Sequence, residues 1–186
     1  MMLETARLRV RPLRSEDLPA FAALMADPAV CRFLEIGPIR SLAELQVLWA
    51  WYVHQGRHGV ELRETGTWIG TVGVALSSNP FYPGGMVGYE LARPYWGQGY
   101  MREALGAVIA AVFAERQVHR LAAFVMADNA PSQRLLRRLG FRHEGTLRDF
   151  GRWKGGYHTM LVFGLLDSDW DAGQAFGVSL LSGGDP

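Results

Sequence analysis

The order of helical and strand-like patterns predicts a single-domain mixed α/β fold (α+β in arrangement): a mostly antiparallel central sheet with helices on both faces. Three observations carry that expectation. Two amphipathic helical stretches lie early in the chain, a three-strand meander fills its middle, and a helix–strand–helix run precedes a closing β-pair. The 186 residues suffice for one domain with a proper core, and we expect it to span 1–168, with a Gly- and Ser-rich tail at 169–186.

Each element has a local reason. Arg7–Arg14 alternates, with Leu8, Val10 and Pro12 on one side and arginines on the other, which reads as a half-buried strand ending near proline. Ser15 or Asp17 can cap a helix carrying Leu18, Phe21, Ala22, Leu24 and Met25, stopped by Asp27-Pro28. Ser41-Leu42-Ala43-Glu44 reads as a capping box, and Leu42, Leu45, Leu48, Trp49 and Tyr52 follow at helical spacing until Gly56. Val60–Glu64 and Trp68–Leu76 are β-like around Thr65-Gly66-Thr67, and Met86–Leu91 is a third strand beyond a Pro/Gly-rich loop at Asn79–Gly85. Tyr100–Arg116 forms a long helix, Arg120–Met126 a strand, and Pro131–Leu139 a short helix with Gly140 past its end. His143–Phe150 and His158–Leu166 close the sheet around Lys154-Gly155-Gly156.

Composition removes several functional classes. Hydrophobic residues make up 49% and charged residues 20%, as in soluble globular chains. The net charge of +1 offers no basic excess for phosphates, so nucleic acid is not an expected partner. The single Cys31 forbids an intramolecular disulfide and a multi-cysteine zinc site, and fits a reducing cytoplasm. Charged residues within Met1–Pro12 argue against a secretory leader, and the apolar runs are too short to span a membrane. His54 and His58 are four apart, but Gly56 lies between them and no nearby acid completes a metal site, so no metal is expected. His119, His143 and His158 stand singly and read as packing or surface residues.

The sharpest chemical feature is Pro94-Tyr95-Trp96-Gly97-Gln98-Gly99-Tyr100-Met101-Arg102-Glu103-Ala104, between a strand and the longest helix. Its glycines permit positive φ and close backbone approach, and a helix N-terminus offers unpaired N–H groups to a pyrophosphate. A plain glycine turn would look the same. Arg102 stands where a dinucleotide fingerprint needs its third glycine, and the Gly-Lys-Ser/Thr of a Walker loop is absent. Downstream, Asn129 and Ser132 open the short helix, where both could act simply as caps, while Arg134, Arg137 and Arg138 lie on its outer side.

Together these two segments resemble the GNAT superfamily of acetyl-CoA-dependent N-acetyltransferases, and its RimJ/RimL-like branch in particular. Trp96 to Ala104 matches the branch's Trp-Gly-x-Gly-Tyr-x-x-Glu-Ala loop; Asn129, Ser132 and Leu139-Gly140-Phe141 match its later motif; Thr5–Leu13 is similar to its first strand. The likeness spans about residues 3 to 166. Met101 departs from the usual small residue, and 146–153 holds no glutamate base, only Asp149.

The resemblance implies acetyl-CoA as acyl donor, bound by Gly97, Gln98, Gly99, Tyr100, Met101 and Arg102, with Asn129 and Ser132 near the thiol. It also implies that Leu91 and Ala92 present backbone groups to the pantetheine arm and thioester. Ser132 is the candidate proton donor to the leaving thiolate. Glu90 is the candidate base, because Val87, Tyr89 and Leu91 share the other face of its strand; a purely structural ion pair is the alternative. Asp149 and Tyr157 are reserves, and Glu103 in a first helical turn reads as structural. Trp49, Trp51, Tyr52, Phe81, Tyr82 and Trp153 could wall an acceptor pocket, although helically spaced aromatics more often build core. The resemblance implies a primary-amine acceptor: a peptide N-terminus, such as that of a ribosomal protein, or alternatively a small amine. A non-catalytic acyl-CoA-binding protein would keep the same loop, and a homodimer stays open.

Overall fold

Leu8 and Val10 are fully buried on one side of their strand, as alternation requires, yet Arg11 on the other side is only 4% exposed. The computed structural model, which describes residues 1–77, 79, 84–115, 118–170 and 179–180, shows why. Both guanidinium Nη atoms of Arg11 donate to Asp17 at 2.8 Å, and its Nε donates to Glu61 at 2.9 Å, so a helix closes over that side as well. Hydrogen bonding from Asp17, outweighing burial, raises Arg11 above its ordinary value.

The strands are β1 (Leu3–Glu4), β2 (Leu8–Pro12), β3 (His58–Leu62), β4 (Trp68–Leu76), β5 (Gly85–Leu91), β6 (Arg120–Met126), β7 (Arg142–Trp153), β8 (Gly156–Leu166) and β9 (Ser179–Leu180). Their spatial order is β7-β8-β6-β5-β4-β3-β2-β1-β9. Every neighbouring pair is antiparallel except β5 with β6. The helices are α1 (Leu18–Ala26), α2 (Pro28–Cys31), α3 (Leu42–His54), α4 (Tyr100–Ala114) and α5 (Ala130–Arg138). The predicted fold class is the observed one. Three short pieces, β1, α2 and β9, escaped the periodicity reading because each is too short to show a period.

Several local signals work as read. Ser41 caps α3 by accepting from the Glu44 N–H, although Glu44 returns its carboxylate to the Arg40 N–H rather than to Ser41. Asn129 caps α5 by accepting from the Ser132 N–H, and this moves Pro131 from the first to the second helical position. The loop at 79–85, with Phe81 and Tyr82, lies mainly outside the described residues, as do helix end 116 and most of the tail from 169.

Two cores hold the layers together. Leu105, Val108 and Ile109 of α4 and Leu136 of α5 pack on the sheet face that carries Val10, Val60, Val72, Leu121 and Phe163. On the opposite face Phe21, Leu24 and Met25 of α1 meet Leu45 and Tyr52 of α3. The β7–β8 hairpin ties to that second layer: Lys154 Nζ donates to the carbonyls of Cys31 at 2.5 Å and Leu34 at 2.6 Å.

β5 and β6 pair only at Gly85–Leu121 and Met86–Ala122. Beyond that, β4 holds β5 as far as Leu91 and β8 holds β6 as far as Met126, so the two strands diverge as a wedge. At its closed end a Cβ on Gly85 would lie 2.3 Å from Val74 Cγ1 and 2.9 Å from Leu121 Cδ2, so the absence of a side chain lets the strands meet. Farther along, a Cβ on Gly70 would sit 2.3 Å from the Glu90 carbonyl oxygen and 3.0 Å from Leu91 Cα, both backbone atoms that cannot swing away. Gly70→Ala should therefore destabilise the fold by about 1–3 kcal/mol, as over-packing does. Urea unfolding measures it; an unchanged midpoint would contradict the close β4–β5 approach.

Candidate active site

The segment between β5 and α4 turns its donors outward. Gly97 and Gly99 have φ of 75° and 81°, and a Cβ on Gly97 would meet no atom within 4 Å. Loop carbonyls are tied inward: Gln98 Nε2 donates to Pro94 O at 2.8 Å and Arg7 Nη1 to Gln98 O at 3.1 Å. The first-turn amides of α4, at Tyr100 and Met101, come before the helix can supply their acceptors. An open seat of amide donors at the positive end of a 15-residue helix suits a pyrophosphate. Met101 sends its side chain into the core, so it touches a ligand at this seat only through its backbone.

Glu103 braces this seat from below. Its carboxylate accepts from Thr5 Oγ1 at 2.6 Å, from the Arg7 N–H at 2.9 Å and from Arg7 Nε at 2.7 Å. Burial alone would raise its pKa, but the bonds from Thr5 and Arg7 outweigh burial and hold it below the usual carboxylate value. The Arg7 guanidinium also lies 4.4 Å over the Tyr100 ring. The structural reading of Glu103 is thereby given its partners. Arg7, which sequence alone placed only in a strand, proves to be the link between β2 and the glycine loop.

The wedge begins where the loop ends. Ala92 N–H donates to Ile69 O at 2.9 Å, so along β5 the polar groups of 92, 90 and 88 face β4, while those of 91, 89 and 87 face the wedge. The Ala92 N–H is thus committed to β4, while the Leu91 N–H faces the wedge. The Leu91 carbonyl accepts from Trp96 Nε1 at 2.6 Å, which fixes the strand's end.

Side chains divide between the two faces as alternation requires. Tyr89 lies on the α4–α5 face, and its hydroxyl is 2.6 Å from Ser132 Oγ across the wedge. Burial pushes the Tyr89 phenol up to about 12. Glu90, 7% exposed, lies on the other face, where Thr71 Oγ1 donates to one oxygen at 2.6 Å and Arg57 Nη2 to the other at 3.0 Å. A Cβ on Gly88 would strike the Arg57 guanidinium at 2.5 Å, so this glycine opens the lane in which the arginine lies. Neither Arg57 nor Thr71 carried a motif that could have flagged it; only the fold brings them to Glu90.

In β7 the three residues 148–150 bulge opposite Thr159 alone, with Asp149 at φ 49°. The bulge lays Phe150, 54% exposed, on Phe124, 40% exposed, with ring centroids 5.6 Å apart. An open crevice of about 690 Å³ follows Thr146 to Phe150. Tyr157 is exposed on the hairpin, Trp49 and Tyr52 pack into the second core, and Trp153 stacks on His158. Among the described residues no cluster of three or more His, Cys, Asp or Glu could hold a metal.

Comparison with known proteins agrees with this geometry. Residues 7–142 match the acetyltransferase (GNAT) domain model, and the chain belongs to that family. It is 29% identical to the N-acetyltransferase p20 of Bacillus licheniformis, over 90% of this chain and 97% of that one. It is 34% identical to the ribosomal protein uS5-alanine N-acetyltransferase of Escherichia coli, over 47% of this chain and 45% of that one. An acetyltransferase structure from Bacillus anthracis superposes with a TM-score of 0.81 at 20% identity, covering 90% of this chain and 99% of that one. The spermidine N-acetyltransferase of Vibrio cholerae, solved with CoA and spermine, gives 0.75 at 22%, covering 87% and 96%. The protein is an N-acetyltransferase of the GNAT fold.

Glu103→Gln should cost on the order of 1–3 kcal/mol at neutral pH, because Arg7 and Thr5 lose a charged acceptor. The folded pKa is depressed, so this stabilisation is present above the unfolded value and lost as pH falls through the folded one. Urea titrations of wild type and variant should therefore converge in acid. A gap independent of pH would contradict the charged brace.

Proposed function

We propose that the chain carries an acetyl group from acetyl-CoA to the N-terminal amine of a peptide or protein, in the manner of the RimJ/RimL-like branch. The observation that carries this is the split of function across the wedge: Ser132 and Tyr89 reach it from the α4–α5 face, Glu90 from the other. The glycine loop opens α4 and Asn129–Ser132 open α5, so the donor enters from that first face. The acceptor then comes from the Glu90 side.

Acetyl-CoA supplies an activated thioester. Gly97 to Arg102 hold its pyrophosphate, and the wedge-facing groups of Val87, Tyr89 and Leu91 receive the amides of the pantetheine arm. The Leu91 N–H stabilises charge developing on the thioester oxygen. Glu90 accepts the proton released by the amine; Thr71 and Arg57 hold its two oxygens, with the Tyr52 hydroxyl beside it, and lone pairs remain for the proton. Ser132 donates to the departing sulfur, whose thiol titrates near ~8.5 and so needs modest help. Solvent carries the proton gained at Glu90 back to Ser132.

An α-amine is the acceptor that asks least of this arrangement, since it titrates near ~7.7–8.0 while a lysine amine titrates near ~10.4. The open Phe124–Phe150 shelf and the crevice along β7 leave room for an extended chain behind that amine. The partial likeness to the uS5-alanine enzyme supports the same class. We assign the activity to the cytoplasm, where acetyl-CoA and nascent N-termini meet. Among the described residues no helix is long and apolar enough to cross a membrane.

A thiol-release assay over N-terminal peptides, lysine peptides and small amines should show highest kcat/KM for the first. Preference for polyamines would overturn the acceptor class, and release with no amine at all would favour a binding protein. Glu90→Gln should cost about 10²–10⁴ in kcat/KM and leave acetyl-CoA affinity unchanged. Near-full activity would make Glu90 purely structural. Gly99→Glu should abolish calorimetric acetyl-CoA binding without unfolding the chain, because its side chain and charge would fill the phosphate seat.

A further inference from the structure

The Tyr89 hydroxyl has been given no chemical step above, yet it makes the 2.6 Å side-chain contact that spans from β5 to α5 across the wedge. Ser132 is an unusual N-terminal helix serine. Its backbone N–H is satisfied by Asn129 Oδ1 at 3.2 Å, so its hydroxyl does no capping and meets Tyr89 instead. Either oxygen could donate in this pair, and their acidities decide between them. Even pushed up by burial, the Tyr89 phenol stays a stronger acid than an aliphatic alcohol, so the phenol is the stronger donor. With Tyr89 donating, Ser132 Oγ is the acceptor, and the serine's own hydrogen must point elsewhere. Both side chains are half-buried, and the ring of Tyr89 packs against the core beneath α4, which leaves the hydroxyl little freedom. The direction left to the serine hydrogen is the wedge.

We propose that Tyr89 is a positioning residue: it donates to Ser132 and so aims the serine hydrogen at the sulfur of coenzyme A. The role rests on reading the wedge as the thioester seat, and it needs no proton to leave Tyr89. Two hydrogen bonds in series polarise one another, so the Tyr89 donation also strengthens what Ser132 can give to a thiolate.

The test compares wild type, Tyr89→Phe, Ser132→Ala and the double variant. Phenylalanine keeps the ring and removes only the hydroxyl. Tyr89→Phe should lower kcat about tenfold with KM for acetyl-CoA and thermal midpoint near wild type, as loss of one transition-state hydrogen bond predicts. In the Ser132→Ala background the same change should cost almost nothing, because a residue that acts through another has nothing left to act on. A second readout needs no acceptor. The thiol of bound CoA, titrated through the ultraviolet absorbance of its thiolate, should rise by about one pH unit in Tyr89→Phe and by a similar amount in Ser132→Ala. Additive rate losses, or a bound thiol that titrates as in wild type, would overturn the role. If wild type acetylates no amine, the proposed function fails while the thiol titration still decides for or against Tyr89.

Discussion

Two neighbouring strands that stop pairing after two residues are the constraint on which the rest of this molecule depends. An unpaired strand edge inside a sheet is costly, because its N–H and C=O groups are half removed from water without partners. The chain tolerates it because both strands are secured from outside, β5 by β4 and β6 by β8. The open groups are then a periodic row of donors and acceptors. In the proposed function a pantetheine arm, with two amides of its own, would complete such a row and turn the structural cost into a binding site.

Charge pairs keep the surroundings of the wedge in register. Arg7 ties the glycine loop to Glu103, Arg11 joins α1 to β2 and β3 through Asp17 and Glu61, and Arg57 joins the end of α3 to β5 through Glu90. The Arg11 and Arg57 pairs are buried; such pairs contribute little compared with apolar packing of equal volume, but breaking one leaves a stranded charge. They therefore penalise displacement of an element more than they reward its presence. That suits a site whose groups come from separate segments: the glycine loop with α4, β5 and α5.

The residues proposed for the cofactor are local in sequence, and those around Glu90 are not. Gly97, Gly99, Asn129 and Ser132 are contiguous with the helices they open, so local spacing alone announces them. The face assignment of Glu90 was equally readable, because alternation along 86–91 is a local property. Tyr89 sat in view as a core-facing aromatic, and nothing in one dimension says that its hydroxyl meets residue 132. Arg57 and Thr71 lie 33 and 19 residues from Glu90, and only the β4–β5 register and the path of α3 bring them together. Arg11 was misjudged for a related reason: its strand alternates as a half-exposed one does, but Asp17 and Glu61 arrive from elsewhere to bury the charge.

The account depends most directly on where the thioester sits. A crystal structure with a non-hydrolysable acetyl-CoA analogue would measure that position. We expect the pyrophosphate on the amides of 98–102, the pantetheine between β5 and β6, and the acyl oxygen within hydrogen-bonding distance of the Leu91 N–H. Ser132 Oγ should lie beside the sulfur. A cofactor laid across the Glu90 face, with β5 and β6 drawn together, would contradict the account.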